Sequence, residues 1–182
     1  ISACLVGSEM CIRDSISAKL REMGVTVVEG GDSVLVRSNG RLRHTNVKTQ
    51  PYPGFPTDMQ PQISVALCLA DGTSVVTEGV YDNRYKYIQE LSRMGADAQV
   101  DGCTAIINGV EGLHGAEVKA CDLRAGAAVV IAGLCAAGET VVTDIRFIER
   151  GYENFVGKLR SIGADIVLER DGAEQCAAAA AE

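Results

Sequence analysis

The sequence predicts an α/β domain assembled from repeated units, with apolar helices inside and strands outside. Three observations lead to this. A helix-ending motif, Leu20-Arg21-Glu22-Met23-Gly24-Val25, recurs as Leu91-Ser92-Arg93-Met94-Gly95-Ala96 and as Leu159-Arg160-Ser161-Ile162-Gly163-Ala164, with glycines 71 and 68 residues apart. Two helical stretches, Met59 to Ala70 and Ala125 to Ala137, are apolar nearly all round, which places each between other elements. Each leads through a matching string, Leu67-Cys68-Leu69-Ala70-Asp71-Gly72-Thr73 or Leu134-Cys135-Ala136-Ala137-Gly138-Glu139-Thr140, into a β-branched strand. A period of about 70 residues is too long for a simple solenoid and suits a few mixed units packed around a shared centre. Buried helices with strands outside would invert the usual α/β barrel.

The elements follow in chain order. At each copy of the motif the glycine closes a helix, because it takes the left-handed conformation without steric cost. A strand-like run comes after each one: Val25 to Val28, Ala98 to Val100, and Ile166 to Leu168. Glu29-Gly30-Gly31-Asp32 lacks the spacing of a dinucleotide or phosphate loop and reads as a hairpin turn. All four prolines fall between Pro51 and Pro61, in Thr49-Gln50-Pro51-Tyr52-Pro53-Gly54-Phe55-Pro56-Thr57-Asp58-Met59-Gln60-Pro61-Gln62. Proline fixes φ and holds the residue before it extended. The segment is therefore a stiff loop that delivers one carboxylate, Asp58, to the start of the first apolar helix. The strands after the two apolar helices are Val75-Val76-Thr77 and Val141-Val142-Thr143. Both helices begin just after an aspartate, Asp58 or Asp122, as expected of an N-cap.

Composition narrows the function. A chain of 182 residues with 47% apolar content has the material for one domain or slightly more, with a real core. The net charge of −7 argues against a nucleic-acid partner, although local arginines still suit a small anionic ligand. No stretch approaches the ~20 apolar residues that a membrane helix needs. None of the seven cysteines forms a CxxC pair, and His44 and His114 are isolated, so no metal site is expected. Cys68 and Cys135 lie in apolar helical patterns and read as small buried hydrophobes. An odd number of unpaired thiols fits a reducing cytoplasm.

The ends read differently from the middle. Glu9-Met10-Cys11-Ile12-Arg13-Asp14-Ser15 resembles a translated sequencing adapter, so residues 1–15 are set apart as an artefact. Residues 16–170 form the folded part, and residues 171–182, with their alanine run, read as a solvated tail. On this reading the first repeated unit is incomplete and an exposed apolar face is expected.

Three positions carry candidate chemistry. Asp58, on its rigid loop, suits either a base that deprotonates a hydroxyl or a plain helix cap. Arg124, in Asp122-Leu123-Arg124-Ala125-Gly126-Ala127, sits at the equivalent helix start. Backbone donors there, with the adjacent arginine, would make an anion site. The alternative is a surface arginine in a salt bridge. Arg150, in Arg150-Gly151-Tyr152-Glu153, is followed by a glycine that permits close backbone approach. Its alternative is an exposed charge at a turn.

The proline-loop string from Lys48 to Gln62, together with Asp122-Leu123-Arg124-Ala125 and Ile148-Glu149-Arg150-Gly151-Tyr152-Glu153, resembles the UDP-N-acetylglucosamine 1-carboxyvinyltransferase family of enolpyruvyl transferases. Glu90-Leu91-Ser92-Arg93-Met94-Gly95-Ala96 and Leu113-His114-Gly115-Ala116-Glu117-Val118 support it. The resemblance implies an inverted α/β barrel-like domain of repeated β-α-β-α-β-β units, here truncated, one of two that face each other across a cleft. It implies transfer of the enolpyruvyl group of phosphoenolpyruvate to the 3-hydroxyl of UDP-N-acetylglucosamine, in the cytoplasm, with no cofactor and no metal. By motif position, Asp58 corresponds to the aspartate that acts on the sugar hydroxyl. Val80, in Thr77-Glu78-Gly79-Val80-Tyr81-Asp82-Asn83-Arg84, corresponds to a position contacting the sugar nucleotide. Arg124 and Arg150 correspond to arginines that meet phosphoenolpyruvate. The family's Lys-Asn pair and cysteine-bearing loop have no counterpart here. The implied partner is thus the N-terminal half of the same protein, and this chain alone is expected to be inactive. The shikimate-pathway enolpyruvyl transferases, or a non-catalytic sugar-nucleotide binding module, are the alternatives.

Overall fold

In the computed structural model, residues 14–30 and 33–169 are described. Helix α1 covers residues 14–22. It is followed by β1 (Thr26–Glu29), β2 (Val34–Arg37), β3 (Val47–Lys48), a 3₁₀ turn (Thr57–Met59) and α2 (Gln60–Cys68). Next come β4 (Thr73–Thr77), α3 (Lys86–Arg93), β5 (Asp97–Asp101), β6 (Thr104–Asn108) and β7 (Glu117–Lys119). The described part ends with α4 (Leu123–Cys135), β8 (Val141–Thr143), α5 (Arg146–Gly151) and α6 (Phe155–Ser161). Most of the proposed adapter, residues 1–13, and the proposed tail lie outside the described residues.

The recurring motif is a recurring cap. Gly24, Gly95 and Gly163 have φ of +91°, +91° and +95°, the left-handed conformation that ends a helix. After the first two caps the chain makes antiparallel hairpins, β1 with β2 and β5 with β6. After the third it does not. Ile166 to Leu168, expected as a strand, has no regular structure. A strand needs ladder partners for its backbone groups, and among the described residues no hairpin mate follows this one.

Each hairpin leads into a parallel β-α-β crossover. β3 pairs with β4 across α2, and β7 pairs with β8 across α4. Parallel strands cannot be joined by a tight turn, so the apolar helices are the connections that parallel pairing demands. The middle sheet has the order β3-β4-β6-β5, with Val76 opposite Ala105 at its centre. The two-residue β3 and three-residue β7 were not foreseen, being too short to show a period.

The expected layering is present. α2 packs on α4, and α4 buries six successive residues, Ala125 to Val130, which no helix lying on a surface does. Met23, Leu67, Tyr87, Leu91, Met94 and Val129 are fully buried in the same core. The strands lie outside, and β2 exposes Val34, Leu35 and Val36. One expectation fails: Cys68 is buried, but Cys135 is exposed. The last turn of α4 runs out from under its cover, where Leu134 is exposed as well.

Candidate active site

The proline loop is pinned at both ends. The Thr49 amide donates to the Thr77 carbonyl (2.9 Å), and the Gln50 amide donates to the Phe55 carbonyl (3.1 Å). Phe55 is buried and anchors the loop to the core, while Tyr52 projects into solvent. The loop ends in the 3₁₀ turn that holds Asp58.

Asp58 does not cap α2. That helix has no side-chain cap, and its start needs little help. The Gln60 amide is taken by the Thr57 carbonyl within the 3₁₀ turn, and Pro61, in the first turn of the helix, has no amide to satisfy. The Asp58 carboxylate is free to turn elsewhere. Its Oδ1 accepts from Arg84 Nη2 at 2.7 Å, and its Oδ2 accepts from Arg124 Nη2 at 3.0 Å. The Asp58 side chain remains about half exposed at 49%, so a ligand can reach it. A carboxylate has about four acceptor positions, and two are occupied here.

Arg124 sits in the first turn of α4. Asp122 is the N-cap expected of it, accepting from the amides of Arg124 (2.8 Å) and Ala125 (2.7 Å). This corrects one expectation. The Asp122 carboxylate takes the Arg124 and Ala125 amides, so most of the attraction for an anion here would come from guanidinium groups rather than from backbone donors. Arg124 Nη1 also donates to the Tyr152 hydroxyl at 3.0 Å. Partial burial works against the Arg124 charge. The Tyr152 hydrogen bond and the Asp58 carboxylate outweigh it and push its pKa up. Arg84 is the more enclosed of the two, with its guanidinium over the Tyr81 ring at 5.1 Å.

The other two predicted residues lie apart. Val80 is partly exposed, on the loop between β4 and α3 that leads to Arg84. Arg150 is exposed in the last turn of α5 and, among the described residues, pairs with none of Asp58, Arg84 and Arg124. A Cβ on Gly151 would lie 2.5 Å from Leu123 Cδ1, so glycine lets α5 come close to the residue beside Arg124, and a larger residue would require the Leu123 side chain to shift.

An aspartate is thus held by two arginines, Arg84 before α3 and Arg124 in the first turn of α4, which gathers one carboxylate and two guanidinium groups at one place. The family model described as EPSP synthase (3-phosphoshikimate 1-carboxyvinyltransferase) matches residues 6–159. The chain belongs to this family. Among enolpyruvyl transferases it is similar to a UDP-N-acetylglucosamine 1-carboxyvinyltransferase of Clostridium botulinum, 56% identical over 85% of this chain and 37% of the relative. A UDP-N-acetylglucosamine 1-carboxyvinyltransferase 3 of Caldanaerobacter subterraneus is 50% identical over 94% of this chain and 43% of the relative. Among solved structures, the enolpyruvyl transferase NikO from Streptomyces tendae superposes with a TM-score of 0.78 at 29% identity, over 84% of this chain and 35% of NikO. The chain therefore spans well under half the length of these relatives, and the fold is the enolpyruvyl transferase fold.

Sequence reasoning missed two residues of this cluster, Arg84 and Tyr152. Nothing in the sequence around Arg84 marks it as part of a site. Its partner is 26 residues away and is reached only through the tertiary fold. Tyr152 follows Arg150-Gly151 and was read only as context. No sequence signal marks its place: the segment is flanked by left-handed Asp144 and Asn154, and positive φ at non-glycine residues is not legible beforehand.

Proposed function

We propose that residues 16–170 are the C-terminal part of an enzyme that transfers the enolpyruvyl group of phosphoenolpyruvate to the 3-hydroxyl of UDP-N-acetylglucosamine, in the cytoplasm. On this reading residues 1–15 are an adapter artefact and residues 171–182 a tail. The observation that carries it is the Asp58 carboxylate, half exposed and held between Arg84 and Arg124. The names of the relatives support the choice of sugar nucleotide.

The chemistry follows from the residue types. Asp58 takes the proton of the sugar hydroxyl, whose oxygen adds to C2 of phosphoenolpyruvate while C3 gains a proton; loss of a proton from C3 together with the C2–O bond to phosphate then restores the double bond and releases phosphate. Each guanidinium gives one donor to Asp58 and keeps others for the phosphate and carboxylate of phosphoenolpyruvate, which its planar fork suits. Arg150 is assigned to the same anion and closes on it from α5. Val80 flanks the sugar nucleotide. The cysteine-bearing loop and the Lys-Asn pair would come from the remainder of the protein, across the cleft, so this chain alone turns nothing over.

The test uses the full-length gene product. Phosphate release from phosphoenolpyruvate should require UDP-N-acetylglucosamine, and shikimate 3-phosphate should not replace it. Turnover with shikimate 3-phosphate alone would move the assignment to the shikimate-pathway enzymes. Sugar-nucleotide binding by calorimetry without phosphate release would leave a binding module.

A further inference from the structure

Two carboxylates are buried among the described residues, Glu78 and Glu90. Glu90 has a cation beside it, Arg93 at 3.5 Å. Glu78, at 4% exposure, has none among the described residues. A buried charge ordinarily needs a partner of opposite sign or a full set of donors. Glu78 has the donors. Its Oε1 accepts from the Thr49 hydroxyl (2.7 Å), the Val80 amide (2.9 Å) and the Tyr81 amide (3.2 Å). Its Oε2 accepts from the Thr57 hydroxyl at 2.9 Å.

Those four donors come from three places that matter to the site. Thr49 is where the proline loop begins, Thr57 is where it ends, and Val80 and Tyr81 belong to the loop that leads to Arg84. The Thr49 hydroxyl closes the set by accepting from the Gly79 amide at 2.8 Å. A Cβ on Gly79 would stand 2.6 Å from the Thr49 carbonyl oxygen, so the two loops are pressed together with no room for a larger residue. Four donors and no acceptor face one side chain, which is the pattern a carboxylate satisfies.

We propose that Glu78 is a positioning residue that holds Asp58 and the Val80 loop in one frame, setting the Asp58 carboxylate against the sugar nucleotide. The inference rests on the reading of Asp58 given above. Thr57, whose hydroxyl Glu78 holds, immediately precedes Asp58. The Oε1 side of the carboxylate fixes the Val80 loop and the start of the proline loop at Thr49, and the Oε2 side, through Thr57, fixes the end of that loop next to Asp58. The two functions are therefore separable by substitution.

Thr57→Val removes only the link next to Asp58. In the full-length protein it should lower kcat about tenfold or more, since displacements of about 1 Å in a site cost rates on that scale. KM for the sugar nucleotide should stay within about twofold, because the Val80 side is intact, and Thr57→Ser should restore kcat. Glu78→Ala should lower kcat and also raise KM. If that variant does not fold, the threonine pair still decides the matter. Wild-type kcat in Thr57→Val, or a rise in KM with kcat unchanged, would overturn the proposal. If the wild-type protein itself shows no turnover, the functional reading falls separately. The positioning claim is then read from a crystal structure of Thr57→Val, in which an Asp58 still paired with Arg84 overturns it and a displaced one supports it.

Discussion

The start of α2 and the start of α4 occupy equivalent places in two repeated units, and both carry an aspartate, yet the two carboxylates are used differently. Asp122 turns inward to cap its own helix. Asp58 turns outward to two arginines. The difference lies in what each helix start requires. Leu123-Arg124-Ala125 presents ordinary amides, and the cap must satisfy them. The start of α2 has a 3₁₀ turn that takes the Gln60 amide and a proline that has none. A repeat can thus release a side chain for chemistry by changing its neighbours rather than the side chain itself.

That contrast can be broken in several ways. The largest effect is expected at Asp58. In the full-length protein Asp58→Ala should cost turnover about 10²–10⁴-fold, the range of a lost general base. Its melting temperature should fall only modestly, because two half-exposed ion pairs are lost but no cap is. A large loss of stability would mean that the two aspartates are alike after all. Next is Arg84→Lys, which keeps the charge and loses the fork. A fall in kcat/KM of about tenfold, or about 1.4 kcal/mol, is expected from steady-state kinetics. At Asp122 the order reverses. Asp122→Ala should remove about 1 kcal/mol of stability, seen in a denaturant titration, and Asp122→Asn should retain most of it. The smallest effect concerns the far ends of the same helices. Burial pushes the Cys68 thiol up to about 12, so the reactive thiolate is scarce at any pH below that. Cys135 is also raised by burial, but it is exposed. Alkylation followed by mass spectrometry at pH 8 should label Cys135 well before Cys68.

The repeat was legible because caps and apolar helices are local signals. Gly24, Gly95 and Gly163 announced three helix ends, and the β-branched runs at Val75 and Val141 announced β4 and β8. The apolar stretches were read a little too long. Leu69 and Ala70 continue α2 only through bonds to the residues three before them, the tighter pattern on which α-helices end. Asp122 was correctly read as a cap from its place before an apolar run. Asp58 occupies a similar place, and only the proline-rich approach set it apart. Its arginine partners depend on how the units pack, which no window of sequence contains. Cys135 failed for the same reason, since helical periodicity tells which face is apolar and not how far the cover extends. Ile166 to Leu168 has the composition of a strand but no mate among the described residues.

The loop that presents Asp58 has one further consequence, for how its motion can be observed. Pro51, Pro53, Pro56 and Pro61 carry no amide hydrogen, so amide exchange is blind at four positions in and beside the loop. Its side chains take over as reporters. Phe55 is buried at 5% and Tyr52 is exposed at 77%, which gives one ring that senses the core and one that senses solvent or ligand within four residues. A fluorine label on each would follow the two faces of the same rigid segment separately.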